Sequence, residues 1–162
     1  MRFLKKQNQK LDTYGLANSG AYAFIIVNPD NVKLDTLMKN YPTLLTCWFA
    51  KRLLSKGASK EHVFDFIFRG LEEALLDRKF SLNVSFDYMF QAIIQCLSQK
   101  KHNMEKKGID VSKLNFVEQD LIDLANDTTP HIQQERGWEK VVYYLSKDSR
   151  RQACVSLLNS RT

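Results

Sequence analysis

The chain has 162 residues, with 24 basic and 18 acidic side chains, a net charge of +6. A domain of this length hides about 70% of its unfolded surface, so a core can form without disulfides or metal. A composition 44% hydrophobic and 26% charged excludes collagen-like, low-complexity and fully disordered chains.

Residues 1–30 read as a basic, extended segment and residues 31–162 as a helical domain, one globular domain overall. The start, Met1 to Lys10, is basic, but Leu11 is followed by Asp12, Thr13, Tyr14 and Gly15, so the apolar core of a secretory leader is missing. Tyr14 to Gly20 is small and polar, a loop. Ala21 to Val27 is β-branched and aromatic and is stopped by Asn28-Pro29-Asp30, which predicts a short strand or extended segment. This is the longest apolar run, far short of the ~20 residues a membrane span needs.

From Asn31 the apolar period becomes helical. Asp30 or Asn31 can cap a short helix reaching Asn40. A second helix starts at Pro42, keeps Leu44, Leu45, Trp48, Phe49 and Leu53 on one face, and stops at Gly57. Ser59 caps a third, with Glu61 in its first turn and Val63, Phe64, Ile67, Phe68, Leu71, Ala74 and Leu75 at helical spacing. Ser85 opens a fourth bearing Phe86, Met89, Phe90, Ile93, Ile94 and Leu97, which Gly108 ends after a polar run. Ser112, or Asn115 with Glu118 as a capping box, opens a fifth carrying Leu114, Val117, Leu121, Leu124 and Ala125. Thr129-Pro130 starts a sixth, which passes through or breaks at Gly137 and presents Trp138, Val141, Val142 and Leu145. Asp148 or Ser149 caps the last, with Ala153, Cys154, Leu157 and Leu158. Six or seven helices joined by short connections predict an all-α compact bundle with one short N-terminal extended segment.

The residues that carry chemistry elsewhere are scattered here. His62, His102 and His131 share no ligand spacing with one another or with a cysteine, and C-x-x-C is absent. No metal site and no cofactor are expected. Cys47, Cys96 and Cys154 are an odd count in apolar helical surroundings, which fits reduced, inert thiols and a cytoplasmic protein. Neither a nucleophile elbow nor a glycine-rich phosphate cradle occurs. Glu118, Asp120 and Asp123 read as the solvated side of an amphipathic helix rather than a cation site. The sequence thus argues against an enzyme, and no small-molecule substrate is expected.

Two surplus features remain. The basic excess sits at the ends: residues 1–11 hold Arg2, Lys5, Lys6 and Lys10 without an acid, and residues 149–162 hold Arg150, Arg151 and Arg161. Within the body, Lys100, Lys101, Lys106 and Lys107 cluster against Glu105 alone. These are candidate contacts for nucleic acid or an acidic partner. The segment from Ala50 to Val63 has the grammar of a helix-turn-helix, with Lys51, Arg52, Lys56 and Lys60 near the turn. The adjoining Phe64, Phe66, Ile67 and Phe68 favour a core hairpin instead. The second feature is aromatic: Phe66, Tyr88, Tyr143 and Tyr144 lie off the apolar stripes of their helices, as candidates for a protein interface. The expected function is a non-enzymatic interaction module (an adaptor, a regulator or a small subunit of a larger complex), with a protein partner or homo-oligomer. The alternative is a nucleic-acid-binding accessory protein that grips phosphates without reading bases.

Overall fold

A computed structural model describes residues 41–71, 86–133 and 137–159. The segment 1–30, with its strand-like run 21–27, and the short helix expected over 31–40 lie outside the described residues. Among the described residues there are six helices and no strand, packed as an all-α bundle. None of these helices is long and apolar enough to cross a membrane.

The first helix, α1, is Tyr41–Ser55, and its end obeys the sequence signal. Gly57 adopts φ +92°, the left-handed region that side chains disfavour, while Ala58 N–H returns to the Leu53 carbonyl at 3.1 Å. Ser59 then caps α2, Lys60–Val63, its Oγ accepting from His62 N–H at 3.1 Å. The next turns depart from the regular helix that the sequence predicts: α2 runs directly into π-helical turns over Phe64–Arg69. Phe66, Ile67 and Phe68 are consecutive and all buried. Three consecutive neighbours in π-helical turns, which hold more residues per turn than an α-helix, still spread over about half of the helix surface. Burial on that scale requires neighbours on more than one side. They are α1 and a long third helix, α3, Phe86–Lys106, both of which pack on the π-helical segment.

The close approach of that segment to α3 falls at Gly70. A Cβ built there would lie 2.9 Å from Lys100 Cγ and 3.0 Å from its Cβ, atoms near the backbone that cannot swing aside. Gly70→Ala is therefore expected to destabilise by about 1–2 kcal/mol, the overpacking cost exceeding the roughly 1 kcal/mol of helix propensity it gains. A raised melting temperature would contradict this packing.

Helix α3 is the central element, about 32 Å long at 1.5 Å per residue, and it packs on α1, the π-helical turns and both C-terminal helices. Its expected face, Phe86, Met89, Phe90, Ile93, Ile94 and Leu97, is buried throughout. The stripe continues through Lys101 and Met104, so the polar run from Gln99 stays helical to Lys106. The chain then folds back as a packed loop, with Val111, Leu114 and Phe116 buried.

Helix α4 is Glu118–Ile132, which corrects two expectations. It does not open at Ser112 or Asn115, because Asn115 is used inside the loop, donating to Ser112 O at 2.7 Å. The Asp120 carboxylate reaches back to Val117 N–H at 2.7 Å and closes the helix start. Nor does Thr129-Pro130 begin a helix. Leu121, Leu124, Thr128 and Ile132 hold one buried face across Pro130. The Thr128 and Thr129 hydroxyls donate to the Leu124 and Ala125 carbonyls.

Of the two readings of Gly137, the break is the one observed: at φ +93° it precedes α5, Trp138–Ser146. The Trp138 ring meets Phe86 edge-on with centroids 4.6 Å apart. After Lys147, α6 runs Asp148–Leu158. Asn159 then brackets Phe116, accepting its N–H at 3.0 Å and donating to its carbonyl at 2.8 Å. That amide pair ties the end of α6 to the loop before α4.

Candidate functional site

The cationic candidates separate into two kinds. Lys100 is half-buried, its side chain lying over Gly70 and its Nζ 3.2 Å from Asp65. Lys101 is fully buried and its ammonium donates to Asn115 Oδ1. It is therefore not a surface contact, because its place on the Leu97–Met104 stripe points it inward. Arg151 is also removed from the surface set, its side chain only 11% exposed. It donates to Leu145 O at the end of α5, pairs with Asp148 in the first turn of α6 and lies 3.6 Å from Glu118 of α4. Lys106, Lys107 and Arg150 face solvent.

Among the helix-turn-helix cations, Lys56 and Arg52 are engaged as well. Lys56 pairs with Asp120 and donates to Asn115 O at 3.1 Å. Arg52 lies 3.1 Å from Asp123 and 3.6 Å from Asp120, with its guanidinium over the Trp48 ring at 4.8 Å. Trp48 Nε1 in turn donates to Asp127 at 3.0 Å. Glu118, Asp120 and Asp123, expected to be solvated, thus each face a cation, and Asp120 is only 2% exposed.

The aromatic candidates divide too. Phe66 is 0% exposed, within the π-helical turns that pack on α1 and α3, and is corrected from interface to core. Tyr88 and Tyr143 are 51% and 54% exposed, and Tyr144 is half-buried beside Tyr143. The structure joins the two tyrosines of α5 with a residue from the other candidate group. Arg150 holds its guanidinium 5.6 Å from the Tyr143 ring centre and 5.7 Å from that of Tyr144, and Lys147 Nζ lies 5.1 Å from Tyr143. Tyr143, Tyr144 and Arg150 border an open groove of about 550 Å³, whose walls also include Asp87 and Gln91 of α3 and Glu139 and Lys140 of α5.

Comparison with protein-family models, with curated proteins and with solved structures finds no match to this chain. The groove is therefore read from its own chemistry. Burial, and then a hydrogen bond to Cys154, push the Tyr144 hydroxyl above its ordinary value. Burial raises the Cys154 thiol despite the opposing Tyr144 hydrogen bond. Both groups stay protonated at neutral pH, and the buried Cys154 anchors the Tyr144 hydroxyl behind the groove wall. Cys47, deeper in the core, is pushed up further by burial alone.

Four wall residues, Asp87, Gln91, Glu139 and Lys140, escaped the sequence reading. A signal was present in retrospect: Asp87 and Gln91, Glu139 and Tyr143, and Lys140 and Tyr144 are each spaced i, i+4, the spacing of helix neighbours. Which helices face each other across a groove is set by tertiary packing, and no local pattern carries it.

Proposed function

We propose that this chain is a non-enzymatic protein-interaction module, an adaptor, regulator or small subunit of a larger complex, that docks through the groove between α3, α5 and α6. The observation that carries this reading is the pair of tyrosines held under Arg150 and Lys147 at the groove's edge. Tyrosine and arginine are among the residues most enriched at binding hot spots. Rings already held by cations lose less freedom on binding than free side chains do, which favours affinity. Buried thiols held protonated favour a binding role over nucleophilic chemistry. None of the three cysteines is in a disulfide, which suits a reducing compartment such as the cytoplasm.

The nucleic-acid alternative has less support. Lys100, Lys101 and Arg151 already have internal partners. Asp87 and Lys106 are 19 residues apart on α3, about 28 Å along its axis. The groove of Arg150 thus sits at one end of the helix and Lys106 and Lys107 at the other, with Asp87 and Glu139 mixed into the groove's wall.

The test compares wild type with Tyr143→Ala/Arg150→Ala as immobilised baits in extract of the cells that make the protein. A partner held by wild type and lost by the variant, with melting shifted by no more than about 4 °C, is the expected result. A partner retained equally by both proteins overturns the reading.

A further inference from the structure

We infer that the partner seated in this groove is a second copy of the same chain, the two grooves meeting face to face about a two-fold axis. The inference rests on the groove being a docking surface, and it adds what the surface docks. Its basis is the charge pattern of the wall, which carries two acids, Asp87 and Glu139, and two bases, Lys140 and Arg150, around Tyr143 and Tyr144.

Within the described residues, charges near the helix contacts are matched internally: Arg52 and Lys56 with Asp120, Lys100 with Asp65, and Arg151 with Glu118 and Asp148. Asp87, Glu139, Lys140 and Arg150 are different. Among the described residues none of the four is in an ion pair, and Glu139, Lys140 and Arg150 are exposed.

An acidic partner would set its charges against Asp87 and Glu139, and a basic one against Lys140 and Arg150. Like-charge contacts of that kind suppress association. A two-fold contact brings the same patch from both subunits, so the patch must complement itself. This wall does, because two acids on one copy can face two bases on the other. Tyr143, exposed on the same wall and under Arg150, supplies the aromatic anchor that interface cores favour.

The test is sedimentation of the purified full chain over a range from about 5 to 500 μM, spanning the affinities expected of a modest interface. Wild type is expected to rise from 18.9 kDa to twice that mass. Two charge variants carry the argument. Asp87→Lys/Glu139→Lys makes the groove wholly basic, and Lys140→Glu/Arg150→Glu makes it wholly acidic. Each is expected to stay monomeric alone, and the two mixed are expected to form a one-to-one complex. Melting curves report whether each variant folds, and Tyr143→Ala, whose ring is exposed, repeats the disruption without altering charge.

Wild type monomeric throughout, variants that dimerise as wild type does, or a mixture that stays monomeric would each overturn the inference. The docking reading fails by a separate result. If wild type is monomeric while Tyr143→Ala/Arg150→Ala still loses a different protein from extract, the groove remains a docking site and only self-association is wrong.

Discussion

Phe66→Ala is expected to lower the unfolding free energy by about 3–5 kcal/mol, the range for emptying a buried aromatic site. Tyr143→Ala is expected to lower it by no more than about 1 kcal/mol. Both residues are aromatic, both lie off the main stripe of their helix, and the sequence treats them alike. They separate on enclosure. Phe66 is wholly buried in the π-helical turns, which pack on both α1 and α3, so truncation leaves a cavity in the bundle interior. Tyr143 is more than half exposed. It gives up two solvent-facing cation contacts, to Lys147 and Arg150, each worth about 0.5 kcal/mol, the low end of the range where water competes. Urea unfolding of the two variants beside wild type measures the difference. Equal losses would mean that Phe66 is not enclosed as described.

The second large effect centres on Asp120. One carboxylate accepts Val117 N–H, pairs with Lys56 and lies 3.6 Å from Arg52, so it joins the start of α4 to the last turns of α1. Asp120→Ala is expected to cost about 3 kcal/mol and Asp120→Asn about 2 kcal/mol, since hydrogen bonds to charged groups contribute about 1.5–3 kcal/mol each and are not additive. The full loss of a buried ion pair, about 3–5 kcal/mol, is an upper bound. The side chains of Arg52 and Lys56 are 27% and 29% exposed, so both cations can regain water. Combining Asp120→Ala with Lys56→Met should cost less than the sum of the single changes by at least about 1 kcal/mol. Strict additivity, or a change below about 0.5 kcal/mol for Asp120→Ala, would place this carboxylate in solvent.

The fold was legible wherever a local rule and the global packing agree. The Gly57 stop, the Ser59 cap and the Phe86–Leu97 stripe of α3 are local signals that tertiary structure leaves intact. Pro130 misled because a proline late in a helix can be carried by a continuous buried face, here Leu121, Leu124, Thr128 and Ile132. Lys101 misleads because its charge points to solvent while its position points to the core. Counting from Leu97 at helical spacing reaches Lys101 and then Met104, which places the lysine inward with Asn115 as its partner. The groove was half legible. Tyr143, Tyr144 and Arg150 each stand out in the sequence, but for different functions, and only the packing of α6 beside α5 brings them together.

The π-helical turns have a consequence for how this segment tolerates change in length. One wider turn advances the register of a helix by a residue, so everything after it is rotated about 100° from where a regular helix would set it. In this protein that rotation presents Leu71 to the core and the bare backbone of Gly70 to the side chain of Lys100. Deleting any single residue from Phe64 to Arg69 would restore ordinary helical spacing and swing both away from their partners, even if every remaining side chain were kept. The segment stores its information in residue count as much as in residue type. Among homologues it should accept one apolar side chain for another far more readily than a one-residue gap.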